Sequence, residues 1–69
     1  MAEHVHKLVE LVGTSGASAS DAIQNAIARA GATVRNIRWF EVVHVRGEVS
    51  GGKVARYQVT LKVGFTLDG

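Results

Sequence analysis

Two side chains in this sequence have the chemistry to bind a flat heteroaromatic ring, Trp39 and Gln58. Trp39 is the only tryptophan, and Gln58 lies in a segment where apolar and polar residues alternate. An indole offers a broad surface for stacking, and a primary amide both donates and accepts hydrogen bonds. We expect the two side chains to lie beside each other on one face of a sheet. The pair therefore predicts a site where a ring stacks on Trp39 and its polar edge pairs with Gln58.

A small α+β fold must position these residues, with elements in the order β-α-β-β. The alternation of apolar and polar residues predicts three strands and one turn. The predicted strands cover 4–12, 34–47 and 54–67, and the turn covers 49–52. We expect a three-stranded antiparallel sheet with one helix packed on one face, and residues 1–69 as a single domain.

The helix is predicted from small apolar residues that recur at helical spacing between Ser18 and Gly31. Ser18 and Asp21 fit a capping-box pattern, with Asp21 in place of the usual Glu or Gln. Residues 13–18 read as a turn-rich link before the helix, and Gly31 is the expected C-cap. An alanine-rich helix of this kind is slim enough to lie close to a sheet.

Strand alternation assigns side chains to the two faces of the sheet. The apolar residues of 54–67 are expected to cover the helix, and Phe40 and Val42 are expected to join that core. Trp39 and Glu41 then point to the opposite face, together with Gln58. Burying an aromatic side chain stabilises by about 1.5–3 kcal/mol relative to leaving it exposed. The second face is therefore expected to meet another subunit, a ligand or both.

The size of the chain indicates self-association. A 69-residue domain buries only about 60% of the surface that its unfolded form exposes, so its core is marginal. Small domains compensate with disulfides, metals or oligomerisation. The sequence contains no Cys, and three His residues at positions 4, 6 and 44 are too few to predict a structural metal site. For His4 and His6 we favour a frayed terminus over a metal site.

Composition excludes several other classes. Hydrophobic residues make up 46% of the chain and charged residues 20%, which excludes a disordered tail. No apolar run reaches the roughly 18 residues of a membrane span, and the N-terminus lacks the apolar region of a signal peptide. A net charge of +2 does not single out nucleic acid. We expect a cytoplasmic protein with no membrane or nucleic-acid partner.

Three segments of the chain together resemble the dodecins. They are ELVGTS at 10–15, VRNIRWFEV at 34–42 and YQVTLKVGF at 57–65, and the resemblance extends from about residue 5 to residue 67. It implies a β-α-β-β subunit that assembles into a hollow homododecamer with the helices outward. It also implies that flavins bind in pairs at two-fold contacts between subunits.

The resemblance implies a role for particular residues. Trp39 matches the Trp that stacks on the isoalloxazine ring, and Gln58 matches the Gln that hydrogen-bonds its pyrimidine edge. Arg46 matches a basic position that either stabilises a phosphate-bearing flavin or carries a salt bridge between subunits. His44 stands where some members have an acidic residue that bonds the ribityl chain. Thr66 replaces an Arg of some bacterial members, which weakens the case for a second, coenzyme A-like ligand.

The resemblance and the residues together predict a store that sequesters FMN or riboflavin (or FAD) and quenches the photo-excited flavin. An enzyme is not expected, because the sequence offers no paired carboxylates and no Ser/His/Asp set. Two alternatives stay open. One is a structural assembly protein without flavin, and the other is a single-stranded nucleic-acid-binding module whose affinity would fall steeply with salt.

Overall fold

A computed structural model of the protein describes residues 3–67. Three strands form one antiparallel sheet in the order β1-β3-β2, and one helix packs on it. The elements are β1 His6–Ser15, α1 Ala19–Gly31, β2 Ile37–Ser50 and β3 Lys53–Thr66. The predicted β-α-β-β fold is confirmed. No helix within residues 3–67 is both long and apolar enough to span a membrane.

Strand β1 includes residues that the sequence assigned to a turn. Gly13, Thr14 and Ser15 pair in register with Val59, Gln58 and Tyr57 of β3. The expected link over 13–18 is therefore wrong for its first half. Gly13 lies in the strand rather than in a turn, and it lies directly under the helix. A Cβ atom at this position would collide with the Ala22 carbonyl and lie 2.9 Å from the Ala26 Cβ. Glycine is present at position 13 because α1 packs on the strand backbone.

The ends of α1 differ from the prediction in two details. Ser18 is the N-cap, as predicted, and its Oγ accepts from the Asp21 backbone N–H at 3.0 Å. The Asp21 carboxylate does not complete a capping box but accepts from the Ser15 Oγ at 2.7 Å. Gly31 is the last helical residue, and the C-cap is Ala32 in a right-handed conformation. A left-handed glycine cap is not needed, because the helix closes with a bond from the Ala32 N–H to the Arg29 carbonyl at 3.2 Å.

Strand β2 begins and ends three residues later than predicted. Asn36, with φ of 65°, turns the chain immediately before the strand. At the other end, Gly51 and Gly52 have φ of 60° and 75°. Two successive left-handed residues form the tight hairpin turn whose twist matches that of the strands. The turn thus occupies two residues instead of the four expected, and pairing continues to Ser50 and Lys53.

The core lies between β3 and α1. Val59, Leu61 and Val63 of β3 are fully buried against the small side chains of Ala22 and Ala26. Partly buried aliphatic residues of β1, α1 and β2 complete it. Small residues on the helix allow the close approach that buries the β3 side chains completely.

The expectation that Phe40 and Val42 join this core is wrong. They pair with Val63 and Leu61, which places them on the helix side of the sheet. Yet 47% of Phe40 and 39% of Val42 are exposed. The helix packs on β1 and β3, and one slim helix is too narrow to cover a third strand as well.

Candidate functional site

The face of the sheet opposite α1, called the open face below, holds all four predicted site residues. Trp39 pairs with Gly64, His44 with Thr60 and Arg46 with Gln58. These β3 residues alternate with Val59, Leu61 and Val63, which pack against the helix, so they point to the opposite face. An irregularity between Val42 and His44 shifts the register by one residue and keeps His44 and Arg46 on the open face.

Trp39 and Gln58 are not neighbours within one chain. Trp39 pairs with Gly64, which is six residues from Gln58 along β3. At about 3.4 Å per residue, the two positions lie roughly 20 Å apart. The prediction that they lie side by side is therefore wrong for a single subunit. Alternation correctly predicted the shared face, but only the register fixes the position along a strand.

The Trp39 end of the open face presents a supported aromatic surface. The indole lies directly against the backbone of Gly64, where an added Cβ would collide with its Cδ2, Cε2 and Cζ2 atoms. Trp39 is nonetheless 41% exposed. One side of the ring is thus seated on the sheet, and the exposed part is available to a stacking partner.

His6 also lies at this end of the face, where no ligand-binding role is expected for it from the sequence. Its ring meets the indole of Trp39 edge to face, with centroids 5.0 Å apart and planes at 74°. Its Nδ1 lies 3.3 Å from the Thr66 Oγ1. The expected frayed terminus is wrong for His6, which is the first residue of β1 and pairs with Thr66. Only the strand register, which the sequence does not contain, brings His6 to Trp39.

At the other end of the face, Arg46, His44, Gln58 and Thr60 form what we call the arginine cluster. The Arg46 Nε donates to the Gln58 Oε1 at 3.1 Å, and its Nη1 lies 3.0 Å from the His44 Nε2 and 3.4 Å from the Thr60 Oγ1. A guanidinium only donates, so the His44 Nε2 accepts and its ring proton lies on Nδ1. Because Arg46 engages the Gln58 oxygen, the Gln58 NH₂ is the group best placed to donate to a ligand.

Charges of both signs lie between the two ends of the face. In the strand register, Lys62 of β3 lies opposite Glu10 of β1 and opposite Glu41 of β2. Within residues 3–67, no group of three or more His, Cys, Asp or Glu side chains is placed to hold a metal ion. The open face thus combines an aromatic surface, a hydrogen-bonding cluster and a middle row of mixed charge.

Comparisons with known proteins agree with the fold. The dodecin family model matches residues 5–68. A dodecin from Thermus thermophilus is 52% identical over 64 residues, which cover 93% of each chain. A solved dodecin from Streptomyces davaonensis superposes with a TM-score of 0.92 at 47% identity and covers 99% of this chain and 100% of its own.

A more distant structure carries a different description. It is a calcium-chelating antigen from Mycobacterium tuberculosis, named calcium dodecin, with a TM-score of 0.79 and 30% identity over 93% of this chain and 91% of its own. Dodecin-family proteins are small binding proteins. The family model spans nearly the whole chain, and the curated relative shares half of its residues. The chain therefore belongs to the dodecin family.

Proposed function

We propose that this protein stores and buffers FMN or riboflavin, held as stacked pairs between Trp39 side chains at two-fold contacts of a hollow dodecamer. The observation that carries the proposal is the placement of Trp39. The only indole of a dodecin-family chain lies against the Gly64 backbone, on a face that none of the elements within residues 3–67 covers.

The seat on Gly64 suits Trp39 to stacking. An indole that already lies against the sheet loses little side-chain entropy when a ring binds to its exposed side. Offset stacking of two aromatic systems contributes about 0.5–1.5 kcal/mol beyond the burial of their area. A two-fold axis presents the same surface twice, so two indoles can enclose two rings.

The separation of Trp39 and Gln58 supports a site between subunits. A gap of about 20 Å along the sheet exceeds the length of a three-ring flavin head. One flavin that contacts both side chains must therefore take them from different subunits. The structure of a single chain thus favours a composite site over a pocket within one subunit.

The arginine cluster suggests what Gln58 does. With its oxygen engaged by Arg46 at 3.1 Å, the Gln58 NH₂ donates to a carbonyl of the pyrimidine edge. Arg46 already contacts three groups of its own sheet. Its first part in the site is therefore to orient Gln58, and a flavin phosphate would take its remaining donors. His44, which supplies an acceptor to Arg46, retains an Nδ1–H for a ribityl hydroxyl.

Self-association is supported by an apolar stripe on the helix side of the hairpin. The stripe consists of exposed side chains that α1 leaves uncovered, namely Phe40, Val42, Val45, Val49 and Val54. Contiguous exposed apolar surface of this kind is typical of subunit contacts. A domain of this size also gains needed burial from assembly.

Storage fits this site better than turnover. A flavin enclosed by an indole and a second flavin leaves no room for a substrate. Indole is electron-rich, so in contact with an excited flavin it quenches the excited state by electron transfer, which protects the cell from photochemistry. We place this store in the cytoplasm.

A fluorescence titration tests the proposal. Ligand-free protein is added to riboflavin and to FMN, using the natural sequence, Trp39→Ala and Trp39→Phe. The matched control is Phe65→Leu, which removes an aromatic ring next to Gly64 on the opposite face of the sheet and outside the apolar stripe. We expect saturable quenching that Trp39→Ala abolishes, Trp39→Phe weakens and Phe65→Leu retains.

Two results would contradict the flavin proposal. The first is flavin fluorescence that stays unchanged at micromolar protein, which would favour an assembly protein without flavin. The second is tight binding of a single-stranded oligonucleotide with an affinity that falls steeply as salt rises, which is the signature of phosphate contacts.

A further inference from the structure

We infer that His6 is a positioning residue that fixes the orientation of the Trp39 indole for ring stacking. This inference rests on the flavin function proposed above. Nothing in the family comparison assigns a role to position 6. Three contacts link the three strands here: His6 of β1 meets Trp39 of β2, Thr66 of β3 meets His6, and Gly64 of β3 lies against Trp39.

The first contact is between the two rings. The His6 and Trp39 rings meet edge to face, with centroids 5.0 Å apart and planes at 74°. Aromatic pairs favour this arrangement because the positive edge of one ring faces the negative surface of the other. An imidazole at this place restricts rotation of the indole about its side-chain bonds.

The second contact holds His6 in place. The Thr66 Oγ1 lies 3.3 Å from the His6 Nδ1, and the two residues are directly paired between β1 and β3. The hydroxyl thus fixes the imidazole plane, and the imidazole in turn bounds the indole. A partner that is itself anchored restricts the indole more than a free side chain would.

The third contact is the seat beneath the indole. Gly64 lies directly under the ring, so the indole cannot move toward β3. Gly64 thus blocks movement of the indole toward the sheet, and the His6 ring limits its rotation. Together the two contacts restrict the orientations open to Trp39 while 41% of the residue stays exposed to a ligand.

The energetic consequence follows from pre-organisation. Immobilising a side chain at a binding interface costs about 0.5–1.5 kcal/mol. When His6 already restricts the Trp39 indole in the ligand-free protein, binding causes little further loss of side-chain entropy. Without His6 this entropy is lost on binding, which lowers the affinity for a stacked ring by about two- to tenfold.

The experiment compares His6→Ala, His6→Phe and Thr66→Val with the natural sequence. Lys7→Ala is the matched control, because Lys7 directly follows His6 in β1 and points to the opposite face of the sheet. The first readout is the near-ultraviolet circular dichroism and fluorescence anisotropy of ligand-free protein, where the single Trp gives an unambiguous signal. The second is the affinity for riboflavin.

We expect His6→Ala to weaken the Trp39 dichroism and anisotropy and to lower riboflavin affinity about two- to tenfold. His6→Phe should retain more of both than His6→Ala, since it preserves the edge-to-face contact but loses the bond to Thr66. Thr66→Val should shift both in the same direction as His6→Ala but by less, and it also tests the inference if His6→Ala does not fold. Lys7→Ala should change neither.

The inference is overturned if His6→Ala, or Thr66→Val where His6→Ala does not fold, leaves the Trp39 dichroism and the affinity unchanged. A lower unfolding midpoint with an unchanged Trp39 signal would also overturn it, because that result describes a purely structural residue. Failure of the flavin proposal would be distinguishable. In that case the natural sequence would not bind riboflavin, and the dichroism of ligand-free protein would still decide the role of His6.

Discussion

At the scale of single residues, Gly64 determines how the Trp39 indole lies on the open face. Gly64 has no side chain, and this absence lets the Trp39 indole lie against the backbone of β3. The sequence identified Trp39 by its type and its face by alternation. It did not identify Gly64 or His6, because both reach Trp39 only through the pairing of strands distant in sequence.

Gly64→Ala tests the seat of the indole. The added Cβ would collide with the Trp39 ring, so the indole must tilt away or the strand must shift, which costs about 1–3 kcal/mol. We expect a changed Trp39 emission spectrum and riboflavin affinity lowered by about tenfold or more. Gly31→Ala is the control, since an added Cβ there meets no atom within 4 Å. An unchanged spectrum in Gly64→Ala would show that the indole does not lie on this backbone.

Arg46→Ala separates two roles for the arginine. If Arg46 orients Gln58 through their 3.1 Å hydrogen bond, its loss should weaken riboflavin and FMN binding alike, by about two- to tenfold. The effect should largely vanish in a Gln58→Ala background, which calorimetric titration of the double-mutant cycle would measure. A loss of affinity confined to FMN would instead assign Arg46 to the phosphate.

At the scale of elements, the sequence predicted the type and order of every strand and helix but misplaced several ends. Alternation identified β3 because its two faces differ, one buried and one open. It could not extend β1 through Gly13, because glycine and hydroxyl residues have turn-like composition. Pairing with Val59 and packing of α1 outweigh that local preference.

Gly13→Ala tests the packing of the helix on β1. A Cβ there would collide with the Ala22 carbonyl and crowd the Ala26 Cβ, so the helix must move outward from the core. We expect the free energy of unfolding in urea to fall by about 1–3 kcal/mol. Gly16→Ala, whose Cβ would have 4.0 Å to its nearest neighbour, should change stability by less. Equal stability of the two variants would contradict the packing described here.

At the scale of the whole molecule, a single subunit leaves apolar side chains of its own sheet exposed. The helix covers two of three strands, and the sequence alone placed Phe40 and Val42 in a core that a single chain does not complete. The same holds for the site, since Trp39 and Gln58 share a face but lie about 20 Å apart. Both features acquire a function only if subunits associate.

Val45→Lys tests that association. It places a charge in the middle of the apolar stripe, and burying an unpaired charge at a contact is strongly unfavourable. Sedimentation velocity should show smaller species than the natural sequence forms. Ser50→Lys is the control, because it adds the same charge at the exposed end of the same strand. A natural assembly that tolerates Val45→Lys would exclude the stripe as a subunit contact.

If each flavin stacks on a Trp39 at a symmetric contact, one flavin should bind for each chain. A stoichiometric titration of the assembled, ligand-free protein with FMN, following flavin and Trp39 fluorescence in the same sample, measures this. We expect both signals to be quenched together and to break sharply at one flavin per chain. Flavin binding that leaves the Trp39 emission unchanged, or no binding at all, would contradict it.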